Sequence, residues 1–575
     1  IDPNNIASVT VLKGLAAATL YGTDGRNGVI LITTKANSGQ SSKKKTEITL
    51  NQSFFFNEIA SLPDYQQNYG GGFNQSFGWF FSNYGPNFNA TGVDGYLNDP
   101  AGIIDANGNV PHPYATNAFL SNFLGGENEL YQSFQGVDYA YRPYASVENF
   151  FRTGSVSNTS LNIRGASNDG NMSFNVNFGH TDDQGFTPGN SLTRNTLSVG
   201  GRAKLSNKFT VTGILNYSRT DFKTPPVAAS DGNANYGLSV FGQVFFTPIS
   251  VDLMGLPFEI PETGGSIYYR NGNDIVNPRW TVKNAQNGQL TNRVFGNAQL
   301  SYEFNDNVSV LYRGGIDIYN ERNHSYANKG GVNSDADRFG YYDTWDNNST
   351  TFNHYAAVSG NYDLTADQKL NVSFLLGGST LGEYYDRQGV SSSAQIVYDV
   401  QRHFNFENQL PIQFSQKRNT IGLFGDLSFE YDNFLYLSLS GRNDWISNLI
   451  AENNSQFYPS VSASFIPTSA FEGFGGGNSL GLNYLKLRAG LGSSAGFPTG
   501  YPTVNTINQS TQVSGGAVGG ASGIVTNGVS DALANPNLRP ELISEWEVGF
   551  DARLLKNRLD AVSYTHLRAH ETRHD

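Results

Sequence analysis

Four stretches of this 575-residue chain carry residue types at spacings that could do chemistry. Gly492-Ser493-Ser494-Ala495-Gly496 matches the G-x-S-x-G turn, which presents a nucleophilic serine between a strand and a helix. Pro498, Gly500 and Pro502 follow and speak against that helix, and no acid–histidine pairing is indicated, so Ser494 is expected in a loop after a strand and no catalytic residue is assigned. Asp105-Ala106-Asn107-Gly108-Asn109 sets oxygen ligands at alternate positions as calcium loops do. It lacks the rest of the twelve-residue pattern and the closing glutamate, and a polar turn is the favoured reading. His566, His570 and His574 stand four apart, a spacing that could align metal ligands on a helix; no metal site is assigned to them, for reasons that follow from the chain's end. Finally, Trp79, Phe80, Phe81, Tyr84, Tyr139, Tyr141 and Tyr144 crowd one long stretch, where rings could stack on sugar faces. Of these, Trp79, Phe80, Tyr84, Tyr139 and Tyr141 are the candidate contacts to a ligand or a covering protein, with packing of the rings among loops as the competing reading.

The elements that must position such residues are set by a period of two. Met172, Phe174, Val176 and Phe178 share one face of a run whose other face holds Ser173, Asn175 and Asn177. Leu197, Val199, Gly201, Ala203 and Leu205 repeat the pattern, and after Ser206-Asn207-Lys208 so do Phe209, Val211, Gly213, Leu215 and Tyr217, which reads as a tight hairpin. The unit recurs on both sides of Asn305-Asp306-Asn307 and of Asp432-Asn433, and about fifteen strands fit this template in all. Short turns alternate with long Gly-, Asn- and aromatic-rich stretches, roughly residues 57–156, 223–291, 388–418 and 497–542. They are too long for ordinary loops of a compact domain, and the one-sided asymmetry is that of outer-membrane barrels. On that reading Phe174 faces lipid, and arginine there costs more than arginine at Asn175. Tyr217, Tyr302, Phe304, Tyr312 and Tyr431 fall on the apolar side near strand ends, where interfacial rings belong.

Composition agrees. Charged residues are only 15% and aromatics 13%, with 64 Gly, 31 Tyr and 39 Phe, a mixture suited to strands and turns. A net charge of -12 without a basic stripe excludes a nucleic-acid role. The absence of cysteine rules out disulfides and thiolate metal sites. No apolar run approaches the roughly 20 residues of a spanning helix, so a membrane role would have to come from a closed barrel, whose strands satisfy one another's backbone groups.

The chain opens with apolar residues 8–12, a short helical stretch at 16–20, a glycine-rich return, and apolar residues 29–34. Gly14, Gly22 and Gly28 supply the permissive backbone of that unit, with Tyr21 beside them. A polar segment containing Lys43, Lys44 and Lys45 then reads as a linker. Ile6-Ala7-Ser8-Val9-Thr10-Val11-Leu12-Lys13-Gly14, Ala17-Ala18-Thr19-Leu20-Tyr21-Gly22 and Gly28-Val29-Ile30-Leu31-Ile32-Thr33-Thr34-Lys35 together resemble the end of the plug of a SusC/RagA-type TonB-dependent receptor. Further motifs follow in order: Asn149-Phe150-Phe151-Arg152-Thr153-Gly154, Asn277-Pro278-Arg279-Trp280, Gly441-Arg442-Asn443-Asp444, Tyr458-Pro459-Ser460-Val461 and Asn535-Pro536-Asn537-Leu538-Arg539-Pro540-Glu541.

The resemblance implies an all-β fold: a transmembrane antiparallel β-barrel of the 22-stranded family, truncated, carrying the C-terminal remnant of an α+β plug. Residues 1–37 would be plug, 38–45 linker and 46–564 partial barrel with long extracellular loops. It implies import of a nutrient, an oligosaccharide or peptide, across the outer membrane of a Gram-negative bacterium. The expected partners are the TonB complex, acting through a segment upstream of this chain, a SusD-like surface lipoprotein and outer-membrane lipid; no cofactor is called for, and a binding or adhesion protein without transport is the alternative. From Ser563 onward the sequence carries three of the chain's eight His without strand alternation, so residues 565–575 are expected to be a non-native tail.

Overall fold

The computed structural model describes residues 2–12, 21–35, 46–123, 127–227, 238–332, 334–474, 481–513, 523–529 and 533–571. The first element is a hairpin of two short strands, β1 (Ile6–Leu12) and β2 (Val29–Thr34), paired antiparallel with Val9 opposite Ile32 and Val11 opposite Ile30. Between them, Gly22–Asn27 forms a 3-10 turn, entered at Gly22 (φ +71°) and left at Gly28 (φ +93°). Both glycines adopt backbone angles that a side chain would strain. The stretch expected as helix, Gly14 with it, and the linker at 38–45 lie outside the described residues.

Fifteen strands then pair, each with its sequence neighbour, into one antiparallel sheet. They run from β3 (Thr46–Asn57) and β4 (Gly154–Ala166) through β5 (Met172–Gln184), β6 (Ser191–Lys204) and β7 (Phe209–Thr224). The next five, β8 (Ala285–Glu303), β9 (Val308–Ala327), β10 (Tyr341–Asp363), β11 (Leu370–Gln395) and β12 (Phe406–Tyr431), are the longest. The sheet closes its sequence order with β13 (Leu435–Ile446), β14 (Ser455–Phe465), β15 (Leu482–Gly496), β16 (Glu541–Leu554) and β17 (Leu559–Glu571). The hairpin turns fall where the alternation breaks: between β12 and β13, Asp432 and Asn433 both take positive φ, the geometry that matches strand twist and that Asp and Asn tolerate best.

Burial in this sheet is inverted relative to a water-soluble protein. On β5, Met172, Phe174 and Phe178 are 60%, 47% and 42% exposed, while Asn175 and Asn177 are 1% and 0% exposed. Leu197, Val199, Leu215, Leu300, Ile316 and Leu439 are likewise on the outer surface, and so are the rings of Tyr217, Tyr302, Phe304, Tyr312 and Tyr431. An apolar outside and a polar, hydrogen-bonded inside is what a lipid solvent selects. No described helix is long and apolar enough to cross a membrane.

Two expectations are corrected here. Residues 388–418 do not form a long loop: β11 and β12 remain paired from Gln395 and Phe406 downward, and only residues 396–405 connect them. Ser391, Ser392 and Ser393 on β11 and Glu407, Asn408 and Gln409 on β12 carry no alternation, and the short run Leu410, Ile412 and Phe414 is interrupted by Pro411, yet the backbone ladder continues through all of them. At the other end, residues 563–571 are not irregular but complete β17, paired to β16 as far as Glu571 opposite Leu542. A sheet edge templates pairing through backbone groups that every non-proline residue carries, whatever its side chain.

The connections between β3 and β4 and between β7 and β8 fold together above one end of the sheet into a cap with an apolar core. Tyr114, Leu120, Val240, Ile267, Tyr268, Tyr269 and Trp280 are almost completely buried there. Asn277-Pro278-Arg279-Trp280 is the knot of this cap. Asn277 accepts from the Arg279 backbone N–H (2.9 Å) and so caps the helix Pro278–Asn284; Trp280 Nε1 donates to the Gly264 carbonyl (2.8 Å), and Arg279 Nη1 donates to the Met254 and Leu256 carbonyls, both at 2.9 Å.

Candidate functional site

The inner wall of the sheet is built by the polar half of each alternating run, and the plug-like hairpin sits against it. Asn175 Nδ2 donates to Asn5 Oδ1 (2.8 Å) and Asn5 Nδ2 donates to Ser198 Oγ (3.0 Å), while Ser160 Oγ donates to Asp2 Oδ2 (2.5 Å). Asn162 completes the chain by donating to Asn175 Oδ1 (2.9 Å). Thus β4, β5 and β6 hold the start of the hairpin. Its turn reaches the far wall: Gly22 lies against Arg442 and Asp444 of β13, and the 3-10 segment packs on β15. A fifteen-stranded sheet that touches one small hairpin from both its early and its late strands must wrap around it. The expectation that β1 and β2 pair inside the lumen is met.

Beside the hairpin is a cavity of about 930 Å³, with Tyr21, Gly22 and Gly28 on the plug side and Arg313, Tyr355 and Arg442 on the wall. Its most buried wall is a cluster from β13 and β14. Arg442 Nε donates to Asp444 Oδ1 (2.8 Å) with side chains 4% and 1% exposed, Arg442 Nη2 donates to Ser379 Oγ (3.0 Å), and the Tyr458 hydroxyl donates to Asp444 Oδ2. The guanidinium also lies 5.5 Å from the centre of the Phe424 ring. Taking both charges out of water makes such a pair a weak source of net stability, yet removing one partner typically costs about 3–5 kcal/mol. Arg442, Asp444 and Tyr458 stand in two of the motifs that carry the resemblance, but none was nominated from sequence as a site residue. The available signal was parity, because Arg442 and Asp444 share the wet face of β13 with Ser438 and Ser440, opposite Leu437 and Leu439.

The candidate rings of the first long connection divide in two. Tyr139 and Tyr141 are buried in the cap core, and Trp79 packs edge-on against Phe77 and Tyr139. Burial pushes both tyrosine hydroxyls well above their ordinary pKa. Tyr141 OH donates to the Pro86 carbonyl (2.7 Å), and Tyr139 OH to that of Ser250 (3.1 Å). These rings pack, as the competing reading had it. Phe80, Phe81 and Tyr84 remain at the surface with Phe73 nearby; Phe80 and Phe81 stack at 4.5 Å, and the Arg270 guanidinium lies 5.2 Å from Phe80.

The remaining motifs resolve plainly. Ser494 is not in a loop but within β15, fully buried and opposite Ile543, a position no nucleophile elbow occupies. Asp105 accepts from the backbone N–H groups of Asn107 (2.9 Å) and Asn109 (2.7 Å), the polar turn expected, and these bonds lower its pKa. Among the described residues no group of His, Asp and Glu could hold a metal ion. His574 and the side chains of His566 and His570 lie outside the described residues.

An apolar outer face, a polar lumen and a hairpin seated in that lumen define an outer-membrane β-barrel that carries a plug element. The family described as TonB dependent receptor-like, beta-barrel matches residues 255–565. TonB-dependent receptor P3 of Formosa agariphila is 22% identical over 569 residues, covering 97% of this chain and 48% of that protein. TonB-dependent receptor P26 of the same organism is 22% identical over 585 residues, covering 98% and 50%. The chain therefore spans about half the length of these relatives. The RagAB peptide importer in its closed-closed state superposes with a TM-score of 0.75 at 17% identity, over 99% of this chain and 59% of that one. The chain belongs to the TonB-dependent receptor β-barrel family, its fold is of the SusC/RagA type, and its place is the outer membrane of a Gram-negative bacterium.

Proposed function

We propose that this chain is part of an energy-coupled importer that takes a nutrient through the outer membrane, with no catalytic step of its own. The observation that carries the reading is the hairpin fastened inside the polar lumen, because an adhesion or binding protein has no use for an occluding element there. The cargo we assign is an oligosaccharide or a peptide. Sugar fits the polar lumen and the exposed rings of the cap, and peptide is favoured by the shared fold with the RagAB peptide importer. A TonB complex would supply the energy through a segment upstream of this chain, and a SusD-like lipoprotein would cover the cap. Of the candidate rings, Phe80 and Tyr84 are the ones exposed for ligand or lid contact, joined by Phe73 and Phe81.

Deleting the complete gene from its source organism, or removing TonB, should abolish uptake of one labelled oligosaccharide or peptide pool while other pools still enter. Uptake unchanged by both deletions overturns import; loss of surface binding with uptake intact would mark a surface-binding protein instead.

A further inference from the structure

β12 extends well past its neighbour β13. Their ladder ends at Thr420 opposite Ile446, and one further pairing follows: Asn419 donates its N–H to Ser447 Oγ (2.9 Å) and its carbonyl accepts from the Ser447 N–H (3.0 Å). In an antiparallel strand both backbone groups of a residue point the same way and the direction alternates along the chain. The odd-numbered residues of 407–419 therefore point away from β11. The Tyr501 hydroxyl donates to the Lys417 carbonyl on that side. Beyond it, among the described residues, nothing bonds the backbone of Glu407, Gln409, Pro411, Gln413 or Ser415 there. Pro411, the one proline of the strand, falls at such a position, where its missing N–H costs no ladder bond.

This free edge lies past the apolar belt. On the outward side Ile421, Leu423, Leu427, Phe429 and Tyr431 cover about the 9–11 residues of a bilayer crossing, and Gln409, Gln413, Ser415 and Lys417 follow beyond them. The lumenal side changes in the opposite sense: Leu410 and Phe414 are 50% and 52% exposed there with Ile412 between them, and the Phe414 and Tyr385 rings meet at 6.0 Å. Two cations flank the strip. Arg387, in register with Phe414, donates from Nε to Asn347 and to the Tyr385 hydroxyl, and Lys417 lies over the Tyr384 ring. Neither forms an ion pair among the described residues.

We propose that this edge captures peptide cargo by strand addition. An extended peptide pairs its backbone with residues 407–417 of β12, its alternate side chains pack beside Leu410, Ile412 and Phe414, and a carboxylate on it is met by Arg387 or Lys417. The inference rests on the import reading and decides within it for peptide over sugar, because donors and acceptors spaced along a strand edge are matched by another backbone.

The test uses the complete gene product, purified in detergent without TonB, and a tryptic digest of casein as the peptide probe, so that binding is read apart from transport. The parent protein should retain peptides, and they should slow hydrogen exchange at the amides of Gln409, Gln413 and Ser415. Gln413→Pro with Ser415→Pro removes two edge donors and no bond to β11; retention should fall roughly thirtyfold, as for two lost hydrogen bonds. Gln413→Ala with Ser415→Ala keeps both donors and should retain peptides as the parent does. Both variants should keep the heat-modifiable migration of a folded barrel, and if the proline variant does not, the exchange measurement on the parent decides. No retention by the parent, equal retention by the proline variant or equal loss in the alanine variant overturns strand addition. So do edge amides already protected before peptide is added, which would mean that another segment or a lid protein covers them. Each of these outcomes leaves import standing, since uptake and its dependence on TonB are measured separately.

Discussion

At the scale of single residues, the two faces of a strand differ by what surrounds them. Leu215 of β7 is half exposed on the outer wall, about midway along the part of the strand that follows the short turn, whereas Asn297 of β8, opposite Ile214, lines the lumenal cavity. Leu215→Arg should destabilise the barrel by about 2–4 kcal/mol, the usual penalty near the bilayer midplane. Asn297→Arg, at the same height but facing the cavity of about 930 Å³, should cost much less; urea unfolding of vesicle-embedded protein compares them, and equal penalties would reverse the assignment of faces. Asn175 cannot serve as the mild comparator that parity alone suggested. It is locked between Asn162 and Asn5, so an arginine there would also eject the start of the hairpin.

At the scale of elements, the cap has its own apolar core, and a histidine buried in it makes its stability depend on pH. His112 stacks on Phe134 with ring centres 3.8 Å apart and accepts from the Tyr114 backbone N–H, and burial lowers its pKa to about 4. The unfolded cap binds a proton below about 6.5 while the folded cap resists it until about 4, so stability is full above pH 6.5 and falls between those values. The loss should be on the order of 1–3 kcal/mol. Hydrogen exchange of cap amides at pH 7 and pH 4.5 should show that loss, and His112→Phe should abolish it. Cap exchange that is independent of pH in the parent protein would contradict the burial of this ring. The same packing explains why Trp79, Tyr139 and Tyr141 were read as candidate contacts: aromatic density in a long connection marks a hydrophobic core as readily as a binding surface, and sequence carries no measure of which rings face inward.

At the scale of the whole molecule, the sheet has two ends. Among the described residues β3 pairs only with β4 and β17 only with β16. Each end presents a row of backbone N–H and C=O groups, and bilayer cannot satisfy them. These 575 residues expressed alone, behind an export signal, should therefore fail to give a heat-modifiable, protease-resistant band in the outer membrane, whereas the complete gene product should give one. A resistant band from the 575 residues alone would show that the sheet satisfies its own edges. Resequencing the source locus past Asp575 bears on the tail in the same way: continued alternating strands would mark residues 565–575 as non-native, and a stop codon there would mark them as native despite their composition.

Much of this architecture was legible before any coordinates, because a strand between lipid and water must alternate and a short turn must use Asn, Asp or Gly. The period of two, the Ser206-Asn207-Lys208 and Asp432-Asn433 turns and the plug-like opening determined the fold class, the strand count to within its rounding, and which face is apolar. What sequence could not determine is wherever that constraint lapses. Towards residues 396–405, β11 and β12 continue with serine, asparagine, glutamine and a proline breaking the pattern and read as loop; at the edge, residues 563–571 pair because backbone pairs with backbone. The Arg442–Asp444 cluster is the clearest case. Arg442 and Asp444 stand two apart on one strand, but Gly422, Tyr458 and Gly22 join them only when the sheet curls far enough to bring its late strands against a turn near the start of the chain, and that curvature is the summed twist and stagger of many strands, which no local pattern encodes.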